Sequence, residues 1–339
     1  MIMNKKAVIL LIVILGIVIG VGYILTKGEK RSNYKKGAYR VGILSGLNLF
    51  SGIADSFIQE MTGLGYVDGK NITYDLQKTN FEPDKEKLIL KKFVDEKVDL
   101  ILAYNTEAAL EAKEATKGTD IPVVFANAFT EGNNLVNSIR APGGNITGVR
   151  YPNTDVAIRR LEVLHEVVPQ VKQIWLPYQK GYPSVPAELD VVRPAAKSLG
   201  LTLIEFPSEN LVALQAELAN RAKNKDLGFG AVLFIPESLS TTKEAFAAIA
   251  KYTRVKKIPV GGSSVTLDDY GTVFAVTVDT SEIGVLAARL ANKILQGTSA
   301  GIIPVVSPET YLILNAKMAS ELGINLSESL LNKANKVIR

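Results

Sequence analysis

Short apolar stretches alternate along this chain with longer amphipathic ones. Tyr39-Arg-Val-Gly-Ile-Leu44 reads as a strand, and residues 53–63 read as an amphipathic helix stopped by Gly63-Leu-Gly65. Residues 71–75 alternate as a strand. Residues 84–96 follow as a helix whose apolar positions are Leu88, Ile89, Phe93 and Val94. A strand at 98–103, an Ala/Glu-rich helix at 106–116 and a strand at 121–125 complete the first run. The pattern restarts after Val149. Helices are predicted at 156–168, 185–199, 211–223 and 244–252, interleaved with strands at 173–176, 201–206, 231–235 and 258–261.

Strands alternating with helices predict parallel sheets covered on both faces. Two such runs predict two doubly wound lobes with a cleft between them, in the α/β class. The tail mixes both kinds of element. It reads as a strand at 274–279, a helix at 281–296, strands at 303–306 and 311–314, and helices at 315–322 and 328–338. Such a tail returns to both lobes and makes a multi-strand hinge. The expected division is a segment 1–38, a first lobe of 39–148 with 280–302, and a second of 149–279 with 303–339. Ile121-Pro-Val-Val-Phe125 and Pro142-Gly-Gly-Asn-Ile-Thr-Gly-Val149 mark the end of the first lobe and the exit from it.

The amino terminus stands apart. Lys5 and Lys6 precede an uncharged apolar run over residues 7–25, long enough to span a bilayer and longer than most signal-peptide cores. It reads as a retained N-terminal transmembrane helix, with a cleaved signal as the alternative. The net charge of +5 resides in this region. Outside residues 1–40 there are 31 basic and 33 acidic residues, a net of −2, so nothing points to nucleic acid. The absence of cysteine excludes disulfides, thiolate metal sites, cysteine nucleophiles and a lipidated amino-terminal cysteine. Lys27, Lys30, Arg31, Lys35 and Lys36 outnumber the lysines before the span, which by charge alone places the large domain inside.

In parallel α/β sheets, ligands sit beyond the carboxyl ends of strands. The candidates there are Ser45, Asn105, Thr106, Asn127, Tyr178, Glu237, Ser238, Ser263 and Asp279. They are mainly hydroxyls and amides, with one aromatic and two acids. Helix amino termini at Thr106 and near Ser238 suit a carboxylate, and Asp279 or Glu237 suits an amine, so the set fits a zwitterion such as an amino acid. Helix capping is the competing reading of Thr106 and Asp279. Gly-x-Ser-x-Gly, the P-loop and Gly-x-Gly-x-x-Gly are all missing. Gly261-Gly262-Ser263-Ser264 reads as a turn before it reads as a phosphate cradle. The single histidine, His165, leaves the face formed by Leu161, Leu164 and Val168 and reads as a surface residue. No catalytic residue, metal or cofactor is expected.

From Tyr39 to Ile338 the chain resembles the tryptophan/tyrosine-type solute-binding proteins of ABC transporters, which have the type I periplasmic-binding-protein fold. Gly65-Tyr-Val-Asp-Gly-Lys-Asn71, Val98-Asp-Leu-Ile101, Ile121–Phe125 and Pro142–Val149 carry the resemblance. Ile258-Pro-Val-Gly261, Val278-Asp279, Leu322-Gly-Ile324 and Ser329-Leu-Leu331 continue it. The resemblance implies two lobes joined by a three-stranded hinge, closing on a small molecule and delivering it to ABC permease subunits. It also implies an extracytoplasmic domain, which overrides the charge count. Thr106 matches a first-lobe binding hydroxyl, Tyr178 a second-lobe tyrosine and Asp279 a polar hinge residue. Two ligand-facing loops depart from the pattern. Thr130-Glu-Gly-Asn stands where the family has Thr-Asp-Pro, and Glu237-Ser238 where it has Thr-Asp.

The sequence therefore predicts a monomeric, membrane-anchored binding protein for a small polar metabolite, with no enzymatic activity. A membrane-anchored sensor and a two-lobed enzyme such as a glycosyltransferase are the alternatives. The enzyme would need the phosphate loop or positioned base that is missing.

Overall fold

The structure, a computed structural model, describes residues 37–46, 51–79, 82–224, 226–264, 266–267 and 270–339. The predicted membrane span at 7–25 lies outside them. Among the described residues no helix is long and apolar enough to cross a membrane.

The first run forms β1 (Tyr39–Ser45), β2 (Ile72–Lys78), β3 (Leu100–Tyr104), β4 (Val123–Ala128) and β5 (Ile146–Arg150). They make one parallel sheet in the order β2-β1-β3-β4-β5. The central strands β3 and β4 are buried at every position, because helices cover both faces and continuous apolar runs suit that setting. Helices Ser51–Gly63 and Thr280–Leu295 cover one face, burying Ile53, Phe57 and Met61 with Ile283, Ala287 and Leu290. Helices Pro83–Asp95 and Thr106–Ala115 cover the other, burying Leu90, Phe93, Ala108 and Ala112. Phe93 is fully buried there, and its truncation to alanine would cost about 3–5 kcal/mol.

The second run forms β6 (Gln173–Gln179), β7 (Thr202–Ser208), β8 (Ala231–Leu233) and β9 (Val260–Gly261), parallel in the order β7-β6-β8-β9. β10 (Thr266–Leu267) and β11 (Tyr270–Gly271) make a small antiparallel pair. β12 (Phe274–Val278), β13 (Thr310–Asn315) and β14 (Lys336–Ile338) make a further sheet in the order β12-β13-β14, which a Gly262–Ala275 bridge continues from β9. Each parallel sheet with its helices is a lobe. The second lobe's buried cluster includes Phe274, Val276, Leu312 and Leu314, so β12 and β13 belong to its core.

Three features of the tail differ from expectation. Residues 303–306 form no regular strand; Val306 makes a single bridge to Val149. The predicted final helix ends at Lys333, and residues 336–338 turn into a strand beside β13. Asn335 explains the change. Its side chain accepts from the Leu312 amide at 2.8 Å while its own amide donates to the Leu312 carbonyl at 2.9 Å. A β12–β13 pairing that is antiparallel also departs from a purely parallel second sheet.

The chain passes between the lobes after β5, after β12 and before β13. Arg150 ties the first and last of these passages together. Its Nη2 donates to Asp155 at 2.8 Å and its Nε to the Ser307 hydroxyl at 2.7 Å, while Nη1 pairs with Glu131. One guanidinium thus orients three backbone segments, which its fork of donors suits better than a lysine would.

Candidate functional site

The parallel sheets aim the loops that follow their strands at one region. A cavity of about 550 Å³ lies there, walled by residues of both lobes. From the first lobe come Asn105 and Thr106 after β3, and Asn127 and Phe129 at the end of β4. From the second come Tyr182, Glu237, Ser238 and Ser263. Tyr151 and Thr277 line it on the passages between the lobes.

Six of the residues expected from the sequence therefore meet in one wall: Asn105, Thr106, Asn127, Glu237, Ser238 and Ser263. Their local roles differ. Thr106 opens its helix, but its Oγ1 accepts from the Phe129 amide at 3.0 Å and so positions that ring. Asn105 and Asn127 have φ of 76° and 53°, at the ends of β3 and β4; at Asn105, where ψ is 159°, this is a strained region that is nearly confined to glycine. The Ser263 hydroxyl donates to the Ser240 carbonyl, and the Ser238 hydroxyl to Gln179 Oε1.

Glu237 is buried and caps the short 3₁₀ helix Ser238–Thr241. It accepts from the amides of Leu239 and Ser240, both at 3.1 Å, and of Gln179 at 3.0 Å. Burial pushes its carboxyl up to about 7, and the amide donors pull the other way. It thus joins the loop after β6 to the loop after β8.

Ser45, Tyr178 and Asp279 lie outside the cavity wall. Ser45 is fully buried at the end of β1, where its carbonyl accepts from Thr79 at 3.0 Å. Tyr178 is turned toward β7, and its hydroxyl donates to Glu205 at 3.1 Å; the residue that reaches the cavity from this segment is Tyr182. Asp279 caps helix Thr280–Leu295, accepting from the Ser281 amide at 2.8 Å and its hydroxyl at 2.6 Å. Those bonds hold its carboxyl below the usual range.

The wall also holds residues that periodicity alone did not single out. Phe129 meets Tyr151 edge to face at 5.7 Å and Tyr182 at 6.3 Å. Arg160 is buried on helix Asn153–Val167 and donates from Nε to the Val276 carbonyl and from Nη1 to the Phe234 carbonyl, both at 3.1 Å. Burial pulls its pKa down, while Tyr151, Glu188 and Glu237 act against that. Glu188, fully buried beside it, accepts from Asn153 at 3.1 Å, and burial pushes its carboxyl up to about 8. The signal for Arg160 was present: it shares the apolar face of Val156 and Leu164 at i, i+4 spacing, so a charge there had to be buried. His165 is half-buried on the same helix and lies outside the cavity wall.

The Gly261–Ser264 turn serves packing. A Cβ on Gly262, at φ 107°, would stand 2.3 Å from the Phe234 carbonyl oxygen. Gly262 therefore lets β9 pass close to the chain that carries Arg160's acceptor.

Residues 45–338 match the family described as ABC transporter substrate binding protein. A tyrosine-binding protein of Clostridioides difficile (strain R20291) is 30% identical over 263 residues, which are 76% of this chain and 73% of that one. Among solved structures, the ABC domain in complex with L-Trp from Streptococcus pneumonia superposes with a TM-score of 0.74 at 24% identity, covering 89% of this chain and all of that one. A ligand-free, open substrate-binding protein with adhesive properties from Clostridium difficile gives 0.71 at 21% identity, with 89% and 99% covered. At these identities the structural likeness establishes the fold, and the match along nearly the whole described chain establishes more: this protein belongs to the ABC transporter substrate-binding proteins.

Proposed function

We propose that this chain is the membrane-anchored, extracytoplasmic receptor of an ABC importer, and that it captures an aromatic amino acid by closure of its lobes. The observation that carries the reading is the aromatic bracket of the cavity. Phe129 comes from the first lobe, Tyr182 from the second and Tyr151 from a passage between them, and all three line the same space. A volume of about 550 Å³ lies within the range of pockets that enclose small molecules. The names of two relatives, one binding tyrosine and one holding L-Trp, agree with that chemistry.

The three passages between lobes act as the hinge in this reading. A ligand bound to one lobe gains the contacts of the other only when the lobes close, and that difference drives closure. The amino end of helix Thr106–Ala115 has no side-chain cap, so its free amides suit the carboxylate of the ligand. The apolar run at 7–25 supports an anchor.

The test is a thermal-shift and calorimetric screen of the full chain in mild detergent against the amino acids. Stabilisation by tyrosine, tryptophan or phenylalanine, without turnover, is expected. Product formation, or a response to sugars alone, would overturn the reading. Protease added to intact cells tests the orientation: a protected domain would place it inside.

A further inference from the structure

The cavity's polar groups are unevenly distributed. On the first-lobe side, Glu86, Glu107 and Glu111 line it together with Asn105. None of these carboxylates has an ion-pair partner among the described residues; Lys87 acts on Glu111 only from beyond ion-pair distance. Glu86 is 2% exposed and accepts from the Thr79 hydroxyl. One oxygen of Glu111 is buried without a hydrogen-bond partner. Independently, Asn105 is 8% exposed, lines the same wall, and its Oδ1 also lacks a partner. Glu111 Oε2 and Asn105 Oδ1 are thus buried acceptors for which the protein brings no donor, whereas Glu86 has that of Thr79 and Glu107 is exposed.

Buried acceptors without donors are costly, and a buried carboxylate without a cation more so. Glu86 and Glu107 also repel one another, as do Glu86 and Glu111, which raises the carboxyls of Glu86 and Glu111 further. A bound group that relieves all of this must be a cation with several N–H donors. Among the described residues no three acidic or histidine side chains stand close enough to hold a metal ion. A primary ammonium, with three rotatable donors, meets the requirement where a metal does not.

We infer that Asn105, Glu107, Glu111 and Glu86 form an ammonium subsite on the first-lobe wall, which selects solutes that carry a primary amine. The subsite deepens the reading of an amino-acid receptor and rests on it for the ring and carboxylate. The amine of the solute donates to Asn105 Oδ1 and to the Glu107 and Glu111 carboxylates. No bond is made or broken. The neighbouring amides at the start of helix Thr106–Ala115 take the carboxylate next to it.

The experiment compares ligands that differ only in the amine, using the full chain in detergent and calorimetry. L-tyrosine and L-tryptophan are set against 3-(4-hydroxyphenyl)propionate and indole-3-propionate, with tyramine, L-lysine and putrescine as further amines. The amino acids are expected to bind at least about tenfold more tightly than the des-amino acids, the size of a lost hydrogen bond to a charged group. In the Glu107→Gln/Glu111→Gln double variant that preference is expected to shrink, because the amino acids bind more weakly and the des-amino anions lose a repulsion. Binding of amino and des-amino acids within twofold of each other, or a double variant that keeps the full preference, overturns the subsite. If no aromatic probe binds but lysine or putrescine does, the aromatic reading fails and the subsite stands. If no amine-bearing probe binds, the subsite is overturned. Circular dichroism of the double variant shows that a lost preference is not lost folding.

Discussion

Phe129 and Tyr182 meet edge to face with 6.3 Å between ring centroids and 82° between planes, although one follows β4 and the other follows β6. Each ring belongs to a different lobe, so the contact exists only when the lobes approach. Such a pair is worth about 0.5–1.5 kcal/mol beyond its buried area. Phe129→Ala is therefore expected to weaken ligand binding about tenfold, and Tyr182→Ala similarly. The double variant should lose less than the sum, because each single change already breaks the shared contact. Calorimetric affinities for the four proteins measure this coupling; strictly additive losses would mean that the rings act separately.

Gly132 constrains the same approach. It has φ of 75°, and a Cβ there would lie 2.9 Å from the Pro183 carbonyl oxygen on the opposite lobe. Gly132→Ala is expected to disfavour the closed arrangement twice over, through left-handed backbone cost and through contact with Pro183. Affinity should fall several-fold, with most of the change in the dissociation rate. Small-angle scattering in saturating ligand should show a larger radius of gyration than the parent protein. An unchanged radius and affinity would show that this loop does not limit closure.

Thr106 and Asp279 were indistinguishable in the sequence, each a polar residue at the start of a helix. The structure separates them. Thr106→Ala removes the bond that holds the Phe129 amide at 3.0 Å, and is expected to weaken binding by several-fold. Asp279→Ala removes a helix cap away from the cavity and should cost about 1 kcal/mol of stability with affinity retained. Denaturant unfolding and calorimetry on both variants test the contrast, which a loss of affinity in Asp279→Ala alone would reverse.

These residues also show what could be read from the sequence. The alternation of apolar runs and amphipathic helices located nearly every strand of both sheets, because central parallel strands buried on both faces leave an unmistakable apolar run, as in β3 and β4. The strand-end rule brought Asn105, Thr106, Asn127, Glu237, Ser238 and Ser263 to one wall. It missed Tyr182, which lies several residues beyond its strand, and offered Tyr178 in its place. Side-chain direction at a strand end depends on register with β7, and a single sequence does not contain that register. Phe129 and Tyr151 carry no periodic signal, and only the fold sets them beside each other. β14 was hidden for a similar reason: residues 336–338 become a strand only because Asn335 pairs with Leu312 across the sheet.

Glu188 makes stability depend on pH in a direction opposite to that of most carboxylates. It is fully buried, and burial pushes its carboxyl up to about 8, against the pull of Asn153 and of Arg160. Glu237 faces it from the loop after β8 and raises it further. The fold therefore favours the protonated form. Below the ordinary carboxylate range, folded and unfolded chains both hold the proton and the contribution is intact. As pH rises toward 8 the unfolded chain sheds its proton first, and the folded state loses relative stability at up to about 1.4 kcal/mol per pH unit. Glu188→Gln keeps the shape and an acceptor for Asn153 but has no proton to lose. Melting temperature measured from pH 5 to 8.5 is expected to fall more steeply in the parent protein than in Glu188→Gln. Glu237, pushed up to about 7, is present in both proteins, so the difference between the two slopes reports Glu188 together with its coupling to Glu237. Parallel curves would mean that Glu188 titrates in the folded protein as it does in the unfolded chain.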